Sequence, residues 1–207
     1  FSTAVLDALK DELDKCSSKC IMACHYPTST TRSQLSSNGL TFEEIVGSHP
    51  SINAYIAGHI HPTSMRIFHH GIGNVEIVGP STRYSRKFGI GVIDDNSLSW
   101  LPMNIFEPVK GIISYPVPIE QLTPHTNFID ILNSEIRVVM FSYQTNFNIS
   151  FAIFQSQREI YKGKLYFTRK IGRNHTLYSF PFSQGGITDN TTYQISFSGD
   201  FIGSREF

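Results

Sequence analysis

Two apolar runs, each with histidine at or near its end, constrain the fold of this chain more than any other feature. The first run covers residues 21–26 and includes His25, and the second covers residues 52–60 and leads into Gly58-His59-Ile60-His61. Short uncharged runs of this length are typical of buried strands. We therefore expect two consecutive strands of one sheet, each delivering histidine at its carboxyl end, which is where ligands gather in open α/β sheets.

The rest of the first half predicts further elements of an α/β segment. Residues 2–15 have the pattern of an amphipathic helix capped by Ser2, and a second short helix follows Thr41. Residues 27–39 are rich in Ser and Thr and predict a loop. We expect four short strands at 66–68, 75–78, 88–93 and 97–101, with a tight turn at Asp95-Asn96. His69 and His70 are expected at the surface. The apolar stripe of the first helix consists of Val5, Leu6, Leu9 and Leu13.

The second half is dominated by strand signals. Three prolines, Pro116, Pro118 and Pro124, mark a connecting segment after a possible strand at 109–115. Strand-like runs then recur at 136–143, 149–154, 164–168, 176–182 and 193–201. The chain has 16 Phe and 9 Tyr, and strands favour aromatic and β-branched residues. Regular spacing and turn content predict an antiparallel sandwich.

Charge and length exclude several classes of protein. The 17 basic and 17 acidic residues give no net charge, which argues against a broad nucleic-acid-binding surface. No window contains the 18 to 20 apolar residues that a membrane span needs. The chain begins at Phe1 and lacks the pattern of a signal peptide. We expect it to be part of a longer protein.

The three histidines of the two strand ends are candidate metal ligands. Neutral imidazole binds zinc, iron and manganese, although histidines in such numbers also occur as surface or packing residues. A mononuclear zinc site complete within this chain is a further alternative, and it requires the three rings to converge within about 4 Å of one point. The cysteines lack the second ligand pair of a typical zinc site, so we expect them to be buried or idle thiols. They are Cys16, Cys20 and Cys24.

The histidine pattern resembles the last two of the five sequence blocks of calcineurin-like metallophosphoesterases. The closest resemblance is to the phosphoesterase-like family of transmembrane protein 62, because His25-Tyr-Pro-Thr-Ser-Thr30 matches its fourth block directly. Residues 75–80 and 86–94 also resemble that family. The resemblance implies that His25 and His59 bind one divalent metal ion and His61 the other, the ions being Mn, Fe or Zn.

The same resemblance suggests a phosphoester substrate, hydrolysed by metal-activated hydroxide. Thr28, Ser29 and Thr30 follow His25 and are predicted to donate hydrogen bonds to the substrate phosphate, the alternative being an ordinary polar loop. The first three family blocks, which supply a bridging Asp, an Asn ligand and an acid-base His, do not occur in this sequence. We therefore expect a carboxyl-terminal part of a hydrolase that has no catalytic residue of its own and is inactive without the missing half of its catalytic domain.

The fold that the resemblance implies has two parts. Residues 1–107 are expected to form the carboxyl-terminal half of a metallophosphoesterase αββα sandwich, which is an α/β fold. Residues 108–207 are expected to form an all-β immunoglobulin-like sandwich. The alternative function is a non-catalytic luminal scaffold or interaction module derived from the same fold.

Three glycosylation sequons and the family resemblance predict the location. The sequons begin at Asn148, Asn174 and Asn190 and lie in the strand-rich half, where they suit a luminal or extracellular glycoprotein. Chance occurrence is the alternative. The family carries membrane spans beyond such a module, so we expect this chain to belong to a membrane protein that is anchored through segments outside it.

Overall fold

The computed structural model of the chain describes residues 1–68, 71–94, 97–106, 111–122, 133–142, 144–185, 187, 191–201 and 203–206. His69, His70, Asp95, Asn96 and Asn190 lie outside this set, and so do the predictions made for them. The chain forms two compact units. The first contains Phe1–Ile90, Pro102–Glu107 and Thr123–His125, and the second contains Gly91–Leu101, Pro108–Leu122 and Thr126–Phe207. Among the described residues, no helix has the length and apolarity to cross a bilayer.

A four-stranded sheet of order β1-β2-β4-β3 is the centre of the first unit. Its strands are β1 (Cys20–Ala23), β2 (Ile52–Ala57), β3 (Ser64–Ile67) and β4 (Val75–Val78). β1 and β2 pair in parallel, as do β2 and β4, whereas β3 is antiparallel to β4. The carboxyl ends of β1, β2 and β4 therefore lie at one edge of the sheet.

Two helices pack against this sheet. Helix α1 (Thr3–Asp14) begins at Ser2, whose side chain accepts a hydrogen bond from the Val5 amide. Leu6 and Leu13 of its predicted stripe are buried, but Val5 is 48% exposed, so the stripe is narrower than expected. Helix α2 (Phe42–Ser48) begins with a capping box between Thr41 and Glu44, an arrangement that satisfies two otherwise free backbone amides.

Two further strands, β5 (Lys87–Asp94) and β6 (Ser97–Asn104), form a two-stranded sheet. The division between the two compact units falls within these strands. The predicted hairpin pairing is confirmed, although its turn lies outside the described residues.

The second unit contains two four-stranded antiparallel sheets, of order β11-β12-β8-β7 and β10-β9-β13-β14. Side chains from both sheets form one core, which makes this unit a β-sandwich; its members include Val138, Met140, Phe151, Ile153, Tyr178, Phe180, Ile195 and Phe197. The strands are β7 (Gly111–Tyr115), β8 (Glu135–Met140), β9 (Ile149–Gln155), β10 (Arg158–Lys164), β11 (Tyr166–Ile171), β12 (His175–Pro181), β13 (Tyr193–Gly199) and β14 (Gly203–Glu206).

The sequence prediction of one strand at 164–168 is wrong. Two strands meet there, β10 and β11, and they pair with different sheets. Leu165 lies between them, is 4% exposed, and donates its amide hydrogen to the Ile149 carbonyl at 2.9 Å. Leu165 is a buried linker between strands of two different sheets. Its apolar side chain fits the sequence pattern of a single continuous strand, so the change of sheet is not visible in the sequence.

We expect Gly199→Ala to destabilise the sandwich by more than about 2 kcal/mol, because an L-residue is strained in the left-handed region and has no space here. Gly199 has φ +96°, and an added Cβ would lie 2.2 Å from the Asn148 carbonyl oxygen. Gly172 is the matched control, since it has φ +65° and open space around it, so Gly172→Ala should cost only about 1 kcal/mol. Urea unfolding of both variants tests this, and equal losses would contradict it.

Candidate functional site

The candidate site lies at the carboxyl edge of the parallel strands. His25 follows β1, the Gly58-to-His61 turn follows β2, and Gly79 follows β4. Backbone hydrogen bonds continue past the strand ends and hold these segments side by side. The Gly58 amide donates to the His25 carbonyl at 3.0 Å, and the Gly79 amide donates to the Ala57 carbonyl at 2.7 Å. The segments that carry the candidate ligands are therefore fixed by the sheet itself.

His25 and His59 form a close pair at this edge. The Nε2 atom of His25 lies 3.2 Å from the Nδ1 atom of His59, and the two rings are nearly perpendicular, at 72°. Two nitrogens bound to one tetrahedral zinc ion, each at 2.0–2.1 Å, lie about 3.3 Å apart. The separation thus suits either a hydrogen bond between imidazoles or two ligands of a single ion. Both side chains are exposed.

His61 lies in the same turn but faces a different neighbour. Its Nδ1 atom is 3.3 Å from the Gly79 carbonyl oxygen. A Cβ at Gly58 would sit 3.7 Å from His61 Cε1 and 4.0 Å from His25 Nδ1, so Gly58 lies between the two rings. Within the described residues, no group of three or more His, Cys, Asp or Glu side chains is arranged to hold a metal ion. The convergence required by a mononuclear three-histidine site is not observed.

The turn after β2 has an unusual backbone. His59, His61 and Thr63 have φ values of 63°, 53° and 56°, all in the left-handed region. Residues other than glycine cost roughly 1–3 kcal/mol each in such sparsely populated conformations, which cluster at functional sites. In an extended strand, His59 and His61 would share one face because they are two residues apart. In this left-handed turn their rings face different neighbours, His25 and the Gly79 carbonyl.

Tyr26 is a site residue that the metal-ligand reasoning missed. Its ring centroid lies 4.8 Å from that of His25 and 4.7 Å from that of His59, while 46% of the side chain is exposed. It therefore restricts the rotation of both imidazoles from one side. Its sequence signals are its position directly after His25 and its place in the block of residues 25–30 that carries the family resemblance.

A buried ionic network fixes the segment after His25. The Glu76 carboxylate, 2% exposed, accepts from the Thr28 amide at 2.7 Å and from the Thr28 hydroxyl at 2.8 Å. Arg66 donates to Glu76 at 2.6 Å and to the Thr28 hydroxyl at 2.6 Å, and it reaches Glu43 at 3.1 Å. Because β3 supplies Arg66 and β4 supplies Glu76, two strands of the sheet clamp this segment in place.

The three predicted substrate-binding residues therefore differ in their surroundings. Thr28 is buried and its hydroxyl already has protein partners. Ser29 and Thr30 are exposed, and the Thr30 hydroxyl donates to the Pro27 carbonyl at 3.1 Å. A role for the three in phosphate binding stays a prediction.

The cysteines are not gathered at the site. Cys16 and Cys20 are joined as a disulfide, and Cys24 is free. The expectation of buried or idle thiols is therefore wrong for Cys16 and Cys20.

Tyr55 of β2 contacts the backbone of the site residue Tyr26. Its side chain is fully buried, and its hydroxyl donates to the Tyr26 carbonyl. Burial, with a smaller contribution from Cys24, raises the pKa of Tyr55 above its ordinary value. The folded state therefore favours the neutral phenol, and the stability that this contributes is present below about pH 10 and lost as the pH rises further.

We expect the wild-type chain to lose stability above pH 10 more steeply than Tyr55→Phe, which cannot ionise at this position. Near neutral pH the variant should be less stable by about 1 kcal/mol because the hydroxyl hydrogen bond is lost. Urea unfolding at several pH values measures both effects. Parallel pH profiles for the two proteins would contradict the expectation.

Comparisons of this chain with family models, curated proteins and solved structures found no match. The metallophosphoesterase relationship therefore stays a prediction.

Proposed function

We propose that the carboxyl edge of β1, β2 and β4 is one wall of a dinuclear metal centre that hydrolyses phosphoesters. The observation that carries this proposal is the 3.2 Å separation of His25 Nε2 and His59 Nδ1 at the ends of adjacent parallel strands. Left-handed backbone at His59 and His61 supports it, since strain in such turns is retained where it serves a site.

Imidazole donors suit the divalent ions that the resemblance implies: His25 and His59 would hold one ion, and His61 would be a ligand of the second. Divalent metal ions supply an activated water and stabilise the charge that develops on a phosphoryl group. The protein's contribution is to hold the imidazoles in position. The parallel sheet fixes their backbone, Tyr26 limits ring rotation, and the Glu76–Arg66 network anchors the segment that follows His25.

We further propose that this chain supplies only part of the metal centre. A pair of ions about 3.5–4 Å apart needs groups that reach both, and no bridging carboxylate converges with the three imidazoles among the described residues. The chain contains 17 acidic residues. The family's sequence block that supplies the bridging aspartate, however, does not occur in it. In this proposal, residues 1–107 are one half of a catalytic domain, and the 207-residue chain is inactive alone.

Turnover of bis(p-nitrophenyl) phosphate with added Mn²⁺ tests the proposal. The 207-residue chain should show no turnover above buffer, and a longer chain of the same gene that carries the missing blocks should be active. His59→Ala in the longer chain should abolish that activity. Turnover by the 207-residue chain would show that its metal centre is complete, against the proposal. If the longer chain is folded and metal-loaded but shows no turnover, the phosphoesterase function is wrong and the non-catalytic scaffold is favoured.

The strand order of the second unit supports an immunoglobulin-like sandwich. An immunoglobulin constant domain places its first, second, fifth and fourth strands in one sheet and the third, sixth and seventh in the other. The sheets here follow that scheme, with β10 as an additional edge strand beside β9. We extend the proposal to this assignment and to family domains at 1–107 and 108–207.

Expression in a secretory eukaryotic host should give glycans at Asn148 and Asn174. Both side chains are exposed, and Asn174 lies in the turn between β11 and β12, so both suit a luminal or extracellular location. Removal of the glycans by a glycosidase, followed by mass measurement, counts the occupied sites. Secretion without any glycan would contradict this location.

A further inference from the structure

The charges of this chain are unevenly distributed. Residues 158–173 contain six basic side chains and one acidic side chain, Glu159, while the whole chain contains 17 of each kind. The remainder of the chain therefore carries an excess of carboxylates. We call the surface formed by this segment the basic edge; its basic residues are Arg158, Lys162, Lys164, Arg169, Lys170 and Arg173.

The basic edge runs along two consecutive strands, each of which is an edge strand of a different sheet. β10 ends one sheet and β11 ends the other, and the buried Leu165 joins them. All six residues of β11 are exposed, as are the basic side chains of β10 and of the turn after β11. Among the described residues, no ion pair involves any of these six cations; the pairs found are formed by Lys10, Lys15, His49, Arg66 and Arg137.

Large apolar side chains are exposed between these cations. Tyr166 is 65% exposed, Phe167 46% and Ile171 39%. Tyr166, Arg169 and Ile171 pair with Ser179, Leu177 and His175 of β12, which are two residues apart and therefore share a face. One face of β11 thus presents a cation between an aromatic and an aliphatic side chain.

Protection of a sheet edge does not account for this combination. Natural proteins do place Lys on edge strands, and the register shift between Phe167 and Arg169 is another protective feature. Exposed Tyr, Phe and Ile have the opposite effect, because they make an edge more adhesive. A surface that combines exposed cations with exposed apolar side chains is suited to a partner that is both anionic and apolar.

We propose that the basic edge docks on a membrane surface that contains anionic phospholipids. Lys and Arg gain from the negative headgroups, while Tyr sits well at the boundary between headgroups and acyl chains and Phe and Ile bury apolar area there. A nucleic acid offers phosphates and bases for Tyr166 and Phe167 but nothing that rewards exposure of Ile171. The proposal is independent of the phosphoesterase function. It requires that the facing leaflet carry anionic headgroups and that no glycan at Asn174, which follows Arg173, cover the basic edge.

Sedimentation of the 207-residue chain with phosphatidylcholine vesicles, with and without phosphatidylserine, tests the proposal. We expect binding only to the vesicles that contain phosphatidylserine, and weaker binding as salt is added. Each basic residue near such a surface contributes about fivefold in affinity. The triple variant Lys162→Glu, Lys164→Glu, Lys170→Glu should therefore lose at least about 100-fold.

The matched control reverses three exposed cations of the first unit, in Arg32→Glu, Arg83→Glu, Lys87→Glu. It has the same net charge and should retain most of the binding. Equal losses in the two triple variants would overturn the proposal, and so would equal binding to both kinds of vesicle. Urea unfolding of each variant checks that the fold is retained.

A second variant distinguishes binding to a membrane from binding to a nucleic acid. Tyr166→Ser, Ile171→Ser keeps all six cations and should weaken vesicle binding while leaving binding of single-stranded polyuridine unchanged. If polyuridine binds more tightly than the vesicles, and this variant binds vesicles as the wild type does, the basic edge is a nucleic-acid surface and the proposal is wrong.

Discussion

Glu76→Ala is expected to destabilise the first unit by about 3–5 kcal/mol, the range for breaking a buried ion pair by removing one partner. The substitution leaves the Thr28 amide without its acceptor and Arg66 without its closest carboxylate, at 2.6 Å. Arg66 is itself 33% exposed, so water compensates part of the loss and we expect a value at the lower end. Urea unfolding followed by far-ultraviolet circular dichroism reports this unit, because both α-helices lie in it.

Glu43→Ala is the matched control for that experiment. Glu43 pairs with the same guanidinium at 3.1 Å, but both side chains are 33% exposed. Exposed pairs contribute about 0–1 kcal/mol, so the control should be close to the wild type. A loss below about 1 kcal/mol for Glu76→Ala, or equal losses in the two variants, would show that the network does not hold the segment after His25.

His59→Ala should lower the affinity of the chain for Co²⁺, used as a spectroscopic substitute for zinc, by at least about 10–100-fold. Removal of a group that merely orients a ligand costs this much, and His59 is proposed to be a ligand itself. The His25–His59 pair, 3.2 Å apart, is the part of the wall that suits one ion without further residues. Absorption of the bound Co²⁺ measures the affinity.

His61→Ala is the control from the same turn. Its imidazole lies against the Gly79 carbonyl and is proposed to serve the second ion, whose other ligands are missing, so its loss should change the Co²⁺ affinity little. Equal weakening by His59→Ala and His61→Ala would indicate a three-histidine site. No weakening by His59→Ala would show that the pair is only a hydrogen bond between imidazoles.

Local sequence patterns predicted the elements of the first unit well. Ser2 caps the first helix and the second helix begins after Thr41, both as expected, because the start of a helix depends on neighbours within a few residues. The two histidine-bearing runs are adjacent strands, in parallel pairing, because uncharged runs separated by a loop and a helix favour that arrangement.

Features that depend on distant partners were not predictable in the same way. The buried Glu76 lies in a strand whose four residues are all buried, and its partners come from positions 28 and 66. No local pattern reports such a contact. The change of sheet at Leu165 was missed because Leu165, Tyr166 and Phe167 form a run typical of a single strand, whereas the strand order is decided by packing of the two sheets.

The position of the histidines was predictable, but their geometry was not. Strand ends predicted that His25 and His59 would lie close together. The left-handed backbone at His59 and His61 could not be derived from sequence, since non-glycine residues rarely adopt it. That conformation places His59 Nδ1 against His25 Nε2 and His61 Nδ1 against the Gly79 carbonyl.

Nitrogen-resolved magnetic resonance of the imidazoles during titration with Zn²⁺ tests the central claim most directly. We expect His25 Nε2 and His59 Nδ1, the two atoms 3.2 Å apart, to shift together at the lowest Zn²⁺ concentration, with His61 unchanged. A first response at His61, uniform shifts of all 8 histidines, or no response at either atom of the pair would contradict the assignment of this edge as a metal-binding wall.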